Sequence, residues 1–235
     1  GPASAPPWRF TAVGLLGPVA QGPDGTVFVV ETSPDGTVRD LLGVDGATGR
    51  VRFRERIPGA IASATYNIDC SVGHHSVSRQ APEVSAPIVG ADGQAYVQVV
   101  ASAETWDYLP CGTGSGSQSE TLTVLRVSAT GNVSVVPVHE YSGPLSADGS
   151  RTDLWVGTLA ASEDAVVATW EKTETGGSGP TTTARATVLG AGAPTTYELT
   201  AERGAPLLVG LDNRAFTVSA AGVVAYDVTT GVVSW

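Results

Sequence analysis

The side chains best suited to chemistry lie in two stretches, residues 66–83 and 103–120. The first, YNIDCSVGHHSVSRQAPE, holds the adjacent histidines His74 and His75. Neutral imidazole binds zinc, copper or nickel, and Asp69 is a candidate third ligand. Neighbouring residues on a strand point to opposite faces, so the two histidines can share a metal only in an irregular loop. We therefore predict no metal site.

The same two stretches contain aromatic residues that suit a binding surface. We interpret both stretches as loops on a rigid scaffold, where binding residues are usually found, and Trp and Tyr make good contact anchors. The predicted binding platform consists of Tyr66, Asn67, His74, His75, Trp106, Asp107 and Tyr108. The alternative is that these aromatics cover an exposed sheet edge.

Each of the two stretches also contains one of the two cysteines, Cys70 and Cys111. A disulfide between them would join the stretches and contribute roughly 3 to 4 kcal/mol by the loop-entropy model. Such a bond suits an oxidising compartment. Two free thiols are the alternative, and the spacing lacks the paired cysteines of zinc sites.

No motif for catalysis is present. There is no Gly-x-Ser-x-Gly element, and the third histidine, His139, cannot be tied to a particular serine and aspartate. The carboxylates are scattered and mostly fall in turns, and the glycine-rich runs lack the lysine of a phosphate-binding loop. We predict a protein without catalytic residues and without a cofactor.

Repeats indicate the elements that position these residues. GPDGTVFVV at 22–30, GADGQAYVQ at 90–98 and GLDNRAFTV at 210–218 share a glycine, an aspartate, then Gly or Asn, and then an aromatic residue. Asp-Gly and Asp-Asn supply the positive φ of a two-residue hairpin turn, with apolar residues on either side. Each stretch is predicted to be strand, tight turn, strand.

A second motif follows each copy. It reads VDGATGRVRF at 44–53, VSATGNVSV at 127–135 and YDVTTGVVSW at 226–235, and it also predicts a turn between two strands. Residues 161–170 and 187–199 are a less regular version of both motifs. Four units result, at about 8–56, 57–140, 141–200 and 201–235.

These units resemble the repeats of the quinoprotein-type (PQQ-like) β-propeller superfamily, and the last unit matches nearly throughout. The resemblance implies an all-β fold of about four radially arranged, four-stranded antiparallel blades, either a closed ring or a segment of a larger one. Members that bind the quinone hold calcium through Glu, Asn and Asp and often have two adjacent cysteines. No such residues can be assigned here, since Cys70 and Cys111 are far apart in the sequence.

Composition restricts the partners. A net charge of −10 repels nucleic acid and anionic lipid surfaces. The longest apolar runs are far below the roughly 18 residues of a membrane helix. Residues 1–7, GPASAPP, are predicted to be a tag or linker remnant, and we expect the native N-terminus and any secretion signal to be missing. Low Lys content with abundant Ala, Gly and Val suggests a high-GC bacterium.

The sequence as a whole predicts a non-catalytic, extracytoplasmic binding or scaffold domain. It would present loops of a propeller to a protein or surface partner, or associate with itself. The alternatives are a fragment of a quinone-dependent dehydrogenase and a carbohydrate-binding module in which Tyr66, Trp106 and Tyr108 stack on sugar rings.

Overall fold

The computed structural model describes residues 8–59, 63–66, 74–108, 114–145, 150–200, 208–210, 213–220 and 222–234. These residues form eighteen β-strands, all paired in antiparallel fashion, and no helix. Within this part of the chain, nothing helical is therefore long and apolar enough to cross a membrane. The predicted all-β class is confirmed.

The first sheet, sheet 1, is a four-stranded meander. Its strands are β1 (Leu15–Gln21), β2 (Thr26–Thr32), β3 (Arg39–Asp45) and β4 (Val51–Arg56), and they pair in chain order. The side chains of β2 and β3 are almost all buried, whereas β1 and β4 are mostly exposed. This is the blade architecture that the repeats predict.

Sheet 2 is larger than the predicted four strands. It contains β5 (Ser63–Tyr66), β6 (His74–Arg79), β7 (Glu83–Val84), β8 (Ile88–Val89), β9 (Ala95–Tyr108), β10 (Gly114–Val127) and β11 (Val133–Leu145). Its order is β11-β10-β9-β6-β5, and β7 and β8 also pair with β9. The long strand β9 has room for all three partners because it has 14 residues, twice the length of β2.

Sheets 3 and 4 complete the fold. Sheet 3 is again a four-stranded meander, formed by β12 (Arg151–Ala161), β13 (Val166–Gly176), β14 (Gly179–Leu189) and β15 (Thr195–Leu199). Sheet 4 has three described strands, β16 (Leu208–Val209), β17 (Arg214–Ser219) and β18 (Gly222–Asp227). The described strands thus form four sheets that follow one another along the chain.

Each sheet packs face to face on the next through apolar side chains. Separate clusters join sheets 1 and 2, sheets 2 and 3, and sheets 3 and 4. Phe28 and Val97 belong to the first cluster, Leu122 and Trp170 to the second, and Val167 and Tyr226 to the third. Sheets that bury both faces against their neighbours in this way are the blades of a β-propeller or of a propeller segment.

The Asp-Gly turns differ from the predicted two-residue type. Gly25 N donates to Gly22 O (3.0 Å), and Gly22 N donates to Thr26 O (2.8 Å), so three residues form the loop. Gly25 has a φ of +79°, and at the corresponding place Asn213 has a φ of +57°. Only the last loop residue is left-handed, which is the three-residue hairpin with a glycine bulge. Asp24 stabilises the turn instead, because its carboxylate accepts from Thr26 N (3.0 Å).

Candidate functional site

The described residues of the two stretches predicted to be loops are mostly in strands. Residues 74–79 form β6, and the second stretch forms the end of β9 and the start of β10. The prediction failed because Ser, Gly and Thr are abundant there and resemble loop composition. Paired strands accept these small polar residues, because the backbone of each strand supplies the hydrogen-bond partners of the next.

The strand pairing gathers the predicted platform at one end of sheet 2. His75 pairs with Tyr66 on one side and with Asp107 on the other, and His74 pairs with Tyr108 in the adjacent row. Asn67 of the platform and both cysteines, Cys70 and Cys111, lie outside the described residues. The described parts of the two stretches are therefore adjacent through the backbone pairing of β6 with β9.

The histidine pair does not have the loop geometry that a shared metal requires. His74 and His75 occupy consecutive positions of the regular strand β6. Among the residues that the structure describes, no group of three or more His, Cys, Asp or Glu side chains is placed to hold a metal ion.

Trp106 and Asp107 of the predicted platform lie on opposite faces of sheet 2. They are consecutive in β9, and Trp106 pairs with Gly116 of β10. A β-carbon built on Gly116 would stand 2.8 Å from Cε3 of Trp106, so the indole lies against this glycine and is half-buried. Asp107 is exposed. A single platform that uses both side chains is therefore not formed.

The face with Asp107 carries a row of hydroxyl groups that sequence reasoning missed. On β10, Ser115, Ser117 and Ser119 occupy alternate positions and are all exposed. Ser117 pairs with Thr105 of β9, and Ser119 pairs with Ser142 of β11. We call this surface the hydroxyl face; its members are Thr105, Asp107, Ser115, Ser117, Ser119 and Ser142. The signal was the alternation in GSGSQSET, which is the period of a strand.

The hydroxyl face exists because sheet 1 is shorter than sheet 2. Further along the same strands, on the same face, Val97 and Leu125 are buried against sheet 1. Sheet 1 ends near Gly59, whose added β-carbon would be 3.4 Å from Ala101 Cβ. Beyond this point no described residue of sheet 1 covers the face, and a groove of about 320 Å³ runs beside Ala103, Ser119 and Gln80.

The opposite face of sheet 2 holds buried polar side chains against sheet 3. Gln118 and Glu120 are 3% and 4% exposed, and both hydrogen-bond backbone atoms of β12. Burial raises the pKa of Glu120 to about 7, and it also raises the pKa of Glu83. A cleft of about 160 Å³ lies here, with Arg151, Asp153 and Trp155 on its sheet 3 side.

His139, for which the sequence offered no partner, stacks on Trp170 with ring centroids 4.9 Å apart. The Arg185 guanidinium lies 5.3 Å from the centroid of the same indole. Burial, with Arg185 and Lys172 nearby, lowers the pKa of His139. A neutral imidazole packed on a buried tryptophan is part of the contact between sheets 2 and 3.

Comparison with known proteins does not assign the chain to a family. No protein-family model matches the chain, and no curated protein is significantly similar to it. Among solved structures, a protein from Lactobacillus plantarum is 11% identical with a TM-score of 0.32, over 96% of this chain and 85% of that one. BamB from Moraxella catarrhalis is 11% identical with a TM-score of 0.21, over 93% of this chain and 84% of that one. The assignment to a propeller-type architecture rests on the sheets themselves.

Proposed function

We propose that this chain is a non-catalytic binding domain whose contact surface is the hydroxyl face of sheet 2. The observation that carries the proposal is the exposure of Ser115, Ser117 and Ser119 on a sheet whose strands are longer than those of its neighbour. A solvated sheet face is ordinarily polar at every second residue, and here these residues form a regular row of hydroxyl groups. Its regularity suits a partner that is recognised through hydrogen bonds.

The chemistry of this face favours a polar partner. Each serine or threonine hydroxyl both donates and accepts, and the Asp107 carboxylate only accepts. Hydroxyls on neighbouring strands are about 5 Å apart, and those along one strand about 7 Å apart. Such a lattice matches peptide groups of a protein surface or hydroxyls of a glycan. The groove beside Ala103 provides space for side chains of the partner.

Stacking of sugar rings is the less favoured mode. Trp106 is half-buried against Gly116 and lies on the other face from the serines. A glycan bound to the hydroxyl face would thus rely on hydrogen bonds alone. For this reason we place a protein partner first.

An extracytoplasmic location belongs to the same proposal. It is supported by Cys70 and Cys111, which follow the ends of β5 and β9, two strands that both pair with β6. A disulfide between them would suit an oxidising compartment. We also infer kinship with the quinoprotein-type propeller repeats from the recurring Asp-Gly and Thr-Gly turns.

Site-specific photo-crosslinking in cells of the native host tests the proposal. A photoreactive amino acid at Ser117 is expected to form a discrete adduct with one partner. The matched control is Thr181 on β14, an exposed hydroxyl residue of sheet 3. Equal adducts from both positions, or none from Ser117, would contradict a binding role for this face.

The non-catalytic assignment is tested separately. Addition of pyrroloquinoline quinone and calcium to the purified protein should leave the near-ultraviolet absorbance equal to the sum of the components. A bound-quinone spectrum would support the dehydrogenase alternative instead.

A further inference from the structure

Strand β12 is the edge of sheet 3 that faces sheet 2, and side chains take the place of a neighbouring strand along it. The backbone N–H of Thr152 donates to Gln118 Oε1 (3.0 Å), and that of Leu154 donates to Glu120 Oε2 (3.2 Å). Gln118 Nε2 also donates to the carbonyl of Thr152. An exposed sheet edge invites pairing with other chains, and this one is closed by sheet 2.

A third side chain continues the series. Val156 N, two residues after Leu154, donates to Glu83 Oε2 at 3.4 Å. Gln118, Glu120 and Glu83 thus meet N–H groups at every second position of β12. We call these three side chains the edge ladder. Two of its three members are carboxyl groups, which can lose a proton, while Gln118 cannot.

We propose that the edge ladder is a proton-dependent latch between sheets 2 and 3, with Glu120 as its titrating group. Protonated, Glu120 satisfies the N–H of Leu154 without placing a charge in the interface. Ionised, it places a negative charge on a side chain that is only 4% exposed. Proton loss therefore weakens the contact between the two sheets.

Burial favours the protonated form of Glu120, and the groups around it only partly oppose this effect. The Arg151 guanidinium is the nearest cation, but its Nε already donates to both Asp153 oxygens (2.9 and 2.8 Å). Ser102 on β9 donates a hydrogen bond to the Glu120 carboxylate. The other charged or titratable groups along this contact are Arg39 on β3, Glu83 on β7, Glu104 on β9, His139 and Tyr141 on β11, Glu171, Lys172 and Glu174 on β13, and Arg185 on β14.

The described cations of this contact have other partners. Lys172 Nζ lies 2.8 Å from Glu174 Oε1, and Arg185 lies over the Trp170 indole. The charge of Arg39 lowers the pKa of Glu83, and Arg151 Nη1 lies 4.0 Å from Glu104 Oε1. Burial is the main reason that the pKa of Glu120 is raised to about 7 from its ordinary 4.5, and Asp153 adds to the rise. Burial also raises the pKa of Glu83.

The sign of the effect follows from linkage. A carboxyl whose pKa is higher in the folded protein stabilises the fold fully below its unfolded pKa. This contribution is lost as the pH rises from about 4.5 towards 7 and beyond. The latch is closed in mildly acidic solution and loosened in mildly alkaline solution.

The first test is direct titration of the wild-type protein. The Glu120 carboxyl carbon, assigned by NMR with Glu120→Gln, is expected to titrate near pH 7. The equilibrium constant for unfolding should rise on the order of 100-fold through this group between pH 5 and 8.5. Glu120→Gln, which keeps the acceptor for Leu154 N, should remove that part of the pH dependence. Glu163→Gln, at an exposed position, is the matched control and should leave it unchanged.

Amide hydrogen exchange distinguishes a latch from a general loss of stability. After correction for intrinsic rates, protection at Leu154 should fall at least tenfold between pH 5.5 and 8 and end below that of Leu42 in the core of sheet 1, whose exchange requires global unfolding. A titration of Glu120 near pH 4, or equal protection of Leu154 and Leu42 at pH 8, would overturn the proposal. The latch lies on the opposite face of sheet 2 from the hydroxyl face, so either proposal can fail without the other.

Discussion

The indole of Trp8 lies directly on Gly49. A β-carbon built on Gly49 would stand 2.5 Å from Trp8 Cε3, and the indole N–H donates to the carbonyl of Gly46 (2.7 Å). Gly49 is the glycine of the first Thr-Gly turn and has a φ of +70°. A residue that precedes sheet 1 in the chain thus docks on the last turn of that sheet.

The same relationship recurs between successive sheets. Phe53 of sheet 1 lies on Gly131 of sheet 2, and Tyr197 of sheet 3 lies on Gly231 of sheet 4. Both glycines also have positive φ, of +87° and +69°. The Thr-Gly motif therefore has two roles, since glycine permits the left-handed turn and leaves room for an aromatic ring of the preceding element.

Replacement of Gly49 by alanine should destabilise the protein through both roles. The left-handed backbone costs about 1 kcal/mol for a residue with a β-carbon, and displacement of Trp8 should add about as much again. Gly25→Ala is the matched control, because Gly25 has a similar φ but nothing within 4 Å of an added β-carbon. Urea unfolding measures both. Equal losses for the two variants would show that the Trp8 contact contributes nothing.

Arg54 is expected to be the most important cation of sheet 1. It donates to Glu31 (2.5 Å) and Asp40 (2.9 Å), whose side chains are 4% and 8% exposed. Arg54→Ala leaves two buried carboxylates short of a partner and should cost about 3 kcal/mol at pH 7. Arg56→Ala, at a side chain that is 64% exposed, should cost much less. Chemical denaturation compares the two, and similar losses would contradict this ranking.

The loss in Arg54→Ala should shrink in acid. Burial raises the pKa of Glu31 and Asp40, but hydrogen bonds from Gly14 and Arg54, and from Arg54 and Arg56, outweigh it and lower both values. Carboxyls with lowered pKa stabilise the fold above their ordinary values of 4.5 and 3.8, and this is lost as the pH falls through the folded values. A gap between wild type and variant that stays constant from pH 7 to 3 would refute this account.

The Cys70–Cys111 disulfide remains a prediction. The two cysteines follow strands that belong to the same sheet. Cys70 follows Tyr66 by four residues and Cys111 follows Tyr108 by three, and Tyr108 pairs with His74 at the other end of the first connection. The intact mass without reductant should be lower by two hydrogen atoms than after reduction. Reductant should lower the melting temperature of the wild type and leave a Cys70→Ser, Cys111→Ser variant unchanged. Two free thiols in the oxidised protein would disprove the bond.

The hydroxyl face should tolerate substitution without loss of stability. Ser117→Arg and Ser119→Arg alter exposed side chains and should change the free energy of unfolding by less than about 0.5 kcal/mol. Partner binding should be lost because the large arginine side chain projects from the hydroxyl face. Thr181→Arg on β14 serves as the control and should retain binding. Retained binding in both serine variants would move the contact surface elsewhere.

The recurrence of turn motifs along the sequence predicted the strands of the repeated units, but the composition of the inserted stretches wrongly predicted loops. Asp-Gly and Thr-Gly turns recur with apolar residues between them, so strands and turns were predicted where Phe28, Tyr96 and Phe216 now lie. The stretch GSGSQSE was taken for a loop because its residues are common in turns. Its serines occupy every second position, as in a strand. Because β9 is long enough to pair with this stretch residue by residue, the stretch forms part of the sheet.

The sequence could predict where the candidate site lies in the chain but not how its side chains are oriented. The sequence indicated that residues 66–83 and 103–120 would lie together, and the pairing of β6 with β9 brings them together. It could not indicate that Trp106 and Asp107 face opposite ways, since a loop imposes no alternation and a strand does.

By itself, the sequence determined the strand class of this protein and the positions of its repeated turns, because these depend on neighbouring residues along the chain. Only the tertiary structure decided which faces are covered. The length difference between β2 and β9 leaves the hydroxyl face open, and the packing of sheet 2 on β12 buries Glu120. Both depend on contacts between residues that are distant in the sequence, and burial, which sets the chemistry of a serine or a glutamate, arises only there.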